Sequence, residues 1–135
     1  MGNETNVDRL RTAIERFNTP DERESYFELY APGAVLHRSP PLEPGLDHIK
    51  AFYRGYWTAF PDIELTIQAI FGADDFVGCA FRAAATHRGE FLGRPATGRS
   101  VVYDGVTLLR FEGGRCVERW SQTDLLAVLR QIEGG

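Results

Sequence analysis

Two carboxylates stand on the stretch RCVERWSQTD, residues 115–124, at positions that alternate with Trp120. In an extended chain successive side chains point to opposite faces, so Cys116, Glu118, Trp120, Gln122 and Asp124 share one side. A glutamate against an aromatic wall has its pKa raised toward neutrality, which suits it to general-base work. Groups able to give or steady a proton lie elsewhere in the chain. Tyr103 and His37 are candidate acids or hydrogen-bond donors, and Arg82 could orient the carboxylate or an anionic oxygen. The chemistry these residues suggest is proton transfer on a small molecule, with Glu118 as base and Asp124 as its alternative. Trp57, Phe60, Arg82, His87 and Trp120 are the expected binding residues. Two structural alternatives stay open: Arg82 could pair with Glu118 or Asp124, and Asp124 could cap the helix that follows it.

The elements that must position these groups follow from hydrophobic periodicity. Leu10, Ala13, Ile14 and Phe17 recur at helical spacing and predict a helix over about residues 4–17. Thr19, Pro20, Asp21 and Glu22 open a second short helix that Pro32 and Gly33 end. AVLHR, residues 34–38, reads as a short strand closed by the proline-rich SPPLEPG, and residues 46–60 read as a strongly aromatic helix. From Ile63 onward the period changes to two. Four strands follow: residues 63–71, FVGCAFRAAATH, SVVYDGVTLLRF and RCVERWSQTD, with DLLAVLRQI as a closing helix. Helices first and antiparallel strands afterwards define an α+β domain over residues 1–135, a curved sheet covered on one face by helices, with a pocket between the layers.

Counting outward from the turns assigns the faces. From Gly113 and Gly114, Leu109 pairs with Glu118, Thr107 with Trp120, Gly105 with Gln122 and Tyr103 with Asp124; from GADD, Leu65 pairs with Arg82 and Ile67 with Ala80. Tyr103, Thr107, Leu109, Phe111, Glu118, Trp120 and Arg82 then face inward, with Asp124 a candidate to join them, an assignment that one β-bulge would invert in part.

Composition excludes some function classes. A net charge of −4 and a pI near 5.4 argue against a nucleic-acid partner. No apolar run approaches the roughly 20 residues needed to cross a bilayer, and MGNETNVDRL lacks both a signal-peptide core and the Ser or Thr of a myristoylation motif at position 6. The expected location is the cytoplasm, with no membrane partner. Cys79 and Cys116 then read as buried free thiols.

FPDIEL after an aromatic helix, then ATHRGEFLGRPATGRSVVYDG and LRFEGGRCVERWSQTDLLAVLRQ, resemble the SnoaL-like polyketide cyclase group of the nuclear transport factor 2-like superfamily, over about residues 30–131. The resemblance implies a cone-shaped α+β barrel and ring closure by intramolecular aldol chemistry without metal or organic cofactor. It places the acid on the strand holding Glu118 and Asp124; if the turn differs, the aligned position is Arg119. The expected activity is a cofactor-independent cyclase or isomerase acting on an apolar, oxygenated, polyketide-like metabolite. An epoxide hydrolase or epoxide-opening cyclase and a non-catalytic binding or dimerisation module are the alternatives. Val102, Val106, Leu108 and Val117, beside Arg110 and Arg119, predict a homodimer through the outer face of the sheet.

Overall fold

The computed structural model describes residues 5–38 and 41–134. The first four residues, with the glycine of the myristoylation motif, and the start of the proline-rich segment lie outside them.

Helix α1 (Asn6–Phe17) begins at a capping box, in which the Thr5 hydroxyl accepts from the Asp8 amide at 3.0 Å and the Asp8 carboxylate accepts from the Thr5 amide at 3.3 Å. Its apolar stripe buries Leu10, Ala13, Ile14 and Phe17, as the spacing requires. The second helical segment is broken into the short α2 (Arg23–Tyr26) between two 3₁₀ turns, Pro20–Glu22 and Phe27–Leu29. Strand β1 (Tyr30–His37) starts earlier than expected and runs through Pro32 and Gly33. It tolerates them because it is an edge strand, and its pairing breaks between Tyr30 and Val35. Helix α3 (Leu46–Ala59) carries the aromatic side chains, and strands β2 (Glu64–Ala73), β3 (Phe76–Thr86), β4 (Ser100–Glu112) and β5 (Arg115–Thr123) lead to helix α4 (Leu125–Glu133).

The strands form one sheet in the order β1-β5-β4-β3-β2, with β1 parallel to β5 and every other pair antiparallel. Buried side chains from α1, α3, α4 and the concave face of the sheet merge into a single apolar cluster. The result is an α+β fold whose bent sheet wraps around helices.

Two bulges bend the sheet and overturn the counted register. On β5, Phe111 pairs with Cys116 but Arg110 pairs with Glu118, so Val117 is an extra residue. Beyond it the faces invert: Leu109 lies opposite Arg119, and Leu108 opposite Trp120. On β2 the pairing shifts between Ile67 and Ala69, leaving Gln68 extra and setting Leu65 opposite Ala83, and Thr66 opposite Arg82. Arg119 therefore points inward, while Glu118, Trp120 and Arg82 point outward. The cysteines are free and buried, as expected.

Asp124 caps α4. Its Oδ1 accepts from the Ala127 amide at 3.1 Å, and this is the capping alternative raised above. Asp124→Ala is expected to cost about 1 kcal/mol, seen as a lower urea midpoint at unchanged slope.

Candidate active site

The helices and the concave face of the sheet enclose a cavity of about 250 Å³. Buried Leu10, Phe17, Tyr26, Cys79, Thr107 and Arg119 form its floor, while exposed Gln122 and Thr123 and half-buried Arg38 and Phe52 mark its opening. The walls are mostly apolar and aromatic, which suits a small, largely hydrophobic ligand. Tyr53 and Tyr56, three residues apart on α3, present their rings to the same space.

At the floor a cation is buried without an anion. Arg119 is 7% exposed, and the inverted register of β5 aims it between sheet and helices. Its Nε donates to Thr107 Oγ1 at 2.8 Å, and its Nη1 donates to the hydroxyls of Tyr26 at 3.0 Å and Tyr30 at 2.7 Å. Among the described residues Nη2 has no hydrogen-bond partner, and no Asp, Glu or His lines the cavity. Burial is the largest influence on the pKa of Arg119 and acts to lower it, while the charges that Tyr30, Tyr53 and Tyr26 would carry on ionisation act the other way and leave it well above the ordinary value. The guanidinium is charged at any working pH.

The phenols form a connected chain. The hydroxyls of Tyr26 and Tyr30 are 2.7 Å apart, and Tyr30 donates to Tyr53 at 3.5 Å. Tyr56 and Tyr103 share a second hydroxyl pair in the same wall. Burial pushes the phenols of Tyr26, Tyr30 and Tyr103 well above the usual range, and that of Tyr56 to about 12. These groups are proton donors near neutral pH. The arrangement is a set of donors converging on a space where an oxygen could carry negative charge.

Of the residues expected to form the site, the cavity includes only Tyr103. Glu118 lies outside on the convex face: its Oε2 meets His37 Nε2 at 2.7 Å and its Oε1 meets Arg110 Nη2 at 3.4 Å. The hydrogen bond with His37, aided by Arg110, holds its carboxyl below the ordinary range, opposite to the shift a base near pH 7 requires. His37 is stacked on Trp120, with centroids 5.1 Å apart, so these three expected residues do cluster, but on the far side of the sheet. Arg82 is paired there with Asp104 at 2.9 Å. His87 is fully buried, with Nδ1 accepting from the Thr97 amide at 3.3 Å. Trp57 and Phe60 are packed into the core behind the cavity wall, Trp57 against Phe17 and Phe60 against Tyr56.

Sequence reasoning placed Thr107 inward, as found, but gave no site role to Arg119, Arg38 or the tyrosines of α2 and α3. Tyrosine at helical spacing reads as core, and these rings are core along their length and polar only at the tip. For Arg119 the one available signal was that a different turn would set it, instead of Glu118, at the position the resemblance gives to the acid.

A cone of curved sheet closed by helices around an apolar cavity with a polar floor defines a class of small-molecule-binding α+β barrels. The profile of the SnoaL-like polyketide cyclases matches residues 8–132, and the chain belongs to that family. Solved structures agree. A SnoaL-like protein of Jannaschia sp. CCS1, a proposed polyketide cyclase, superposes with a TM-score of 0.86 at 26% identity, over 96% of this chain and 92% of its own. IdmH of Streptomyces antibioticus, also a proposed polyketide cyclase, gives 0.80 at 29% identity, over 96% and 99%. AclR of Streptomyces galilaeus, a proposed hydroxylase, gives 0.85 at 24% identity over 96% of both chains, a likeness of fold. No curated protein matches the sequence. No helix among the described residues is long and apolar enough to cross a membrane.

Proposed function

We propose that this chain is a cofactor-independent cyclase or isomerase of a largely apolar, oxygenated metabolite of the polyketide kind. It works by holding negative charge on a substrate oxygen rather than by presenting a carboxylate base. The observation that carries the reading is Arg119, buried at the cavity floor among neutral hydroxyls, with Nη2 unpartnered among the described residues. Arg119 and Tyr53 bind the developing enolate or alkoxide, and the Tyr56–Tyr103 pair supplies a proton to the oxygen that becomes an alcohol. Epoxide hydrolysis is disfavoured, since it needs an acid or histidine to activate water and none lines the cavity among the described residues.

The test is incubation with a panel of 1,3-diketones carrying a remote ketone, together with terpene and polyketide epoxides, read by mass spectrometry. Ring closure gives an isomer or a product lighter by one water. Products heavier by one water would support epoxide hydrolysis instead, and an unchanged panel with tight binding would make the chain a binding module.

The homodimer belongs to the same proposal. Val102, Val106 and Leu108 remain 48%, 56% and 39% exposed on the convex face, beside the half-buried Trp120. Light scattering is expected to give twice the chain mass at micromolar concentration; a monomer there would overturn the dimer and leave the proposed chemistry standing.

A further inference from the structure

We infer that the cavity receives its substrate already as an anion, with one charge shared by two oxygens on a largely apolar body: a carboxylate or an enolised 1,3-dicarbonyl. This deepens the proposed function and rests on it for the claim that the bound molecule is a substrate.

Three observations point the same way. Arg119 is a buried guanidinium whose described partners are all neutral, and a charge so placed is stabilised by a counter-ion that the described residues do not supply. Its Nη2 keeps two N–H groups for a ligand oxygen, and a charge-assisted bond there is roughly twice as strong as one between neutral groups. Secondly, the cavity's charges have one sign: Arg38 lies near the opening with its guanidinium 4.2 Å from the Phe52 ring centroid, and no acid faces either arginine across the lining among the described residues. Thirdly, Arg119 donates to both Tyr26 and Tyr30, and Tyr30 reaches Tyr53, so the described groups around the guanidinium offer a ligand N–H and O–H donors and no carboxylate.

For the enolate, the same inventory explains why the charge arrives with the substrate. Removing a proton from carbon needs a base; no carboxylate or imidazole lines the cavity among the described residues, and burial holds the phenols of Tyr26, Tyr56 and Tyr103 and the thiol of Cys79 protonated. An enolate needs no such group. Its carbon bonds to a remote carbonyl carbon of the same molecule, and the π pair of that carbonyl moves to its oxygen. A tyrosine hydroxyl gives the alkoxide a proton and regains one from water, so no oxidant or reductant is involved.

Isothermal titration calorimetry at neutral pH tests this with unreactive probes. Octanoate and ionised 5,5-dimethylcyclohexane-1,3-dione are compared with octan-1-ol and 3,3-dimethylcyclohexanone, their neutral counterparts. At least one anion should bind the wild type about tenfold or more tighter than its counterpart, and the preferred probe identifies the carboxylate or the enolate source. Arg119→Met should abolish the preference while retaining affinity for the neutral partner. Equal affinities in the wild type, which need no variant, would overturn the inference, as would a preference that survives Arg119→Met. None of the probes can cyclise, so failure of the turnover panel leaves this result standing, and equal affinities here leave oxyanion stabilisation during turnover intact.

Discussion

Arg119→Met is expected to lower kcat for ring closure by on the order of 10²- to 10³-fold, the usual loss when one preorganised oxyanion donor is removed. Glu118→Gln is expected to leave kcat within about twofold. The contrast is informative because the residues are adjacent and their side chains lie on opposite faces of β5. Arg119 reaches Thr107, Tyr26 and Tyr30 at the cavity floor, whereas Glu118 reaches His37 and Arg110 on the convex face. Methionine is similar in length and uncharged, and the removed cation leaves no buried carboxylate behind among its described partners, so the stability change should be small or favourable. Loss of turnover with an unchanged thermal midpoint therefore reads the charge itself. If Glu118→Gln lost turnover and Arg119→Met did not, the site would lie on the convex face around the His37–Glu118–Trp120 cluster.

Why the sequence pointed to Glu118 is a matter of one residue. The period-two pattern of β2 to β5, the turn at Gly113 and Gly114 with φ of 58° and 83°, and the cap at Asp124 are local properties, and they were legible. So was the family, from GEFLGRPATGR and ERWSQTD. The bulges at Val117 and Gln68 were not, since nothing in the local sequence distinguishes an extra residue from a paired one. A strand alternates strictly, so each extra residue moves every later side chain to the other face. The bulge at Val117 turned Arg119 inward and Glu118 outward; that at Gln68 broke the pairing that had turned Arg82 inward. Bulges also bend the sheet that encloses the cavity, so the feature that creates the site also hides its residues from counting.

Phe60→Ala is the substitution expected to cost most stability, about 3–5 kcal/mol, a large share of the roughly 5–15 kcal/mol of an ordinary domain. Phe60 is fully buried just past the end of α3, with its ring 5.1 Å from Tyr56, 5.0 Å from Phe91 and 5.7 Å from His87. Truncation leaves a void that none of these rings can fill without moving. Its backbone amide also donates to Tyr56 O at 2.9 Å, so ring and backbone together fix the last turn of α3 and the direction of the Tyr56 phenol. Phe60→Leu retains most of the volume and should cost about 1 kcal/mol. Denaturant unfolding measures both. The pair also separates two roles, because Phe60 was expected from sequence to line the binding site and the structure seats it one layer behind. A direct wall would make the leucine variant bind the apolar probes several-fold more weakly at near-native stability. A supporting residue leaves the leucine variant's affinity unchanged, and only the alanine variant, with Tyr56 freed from its partner Tyr103, loses turnover as well as stability.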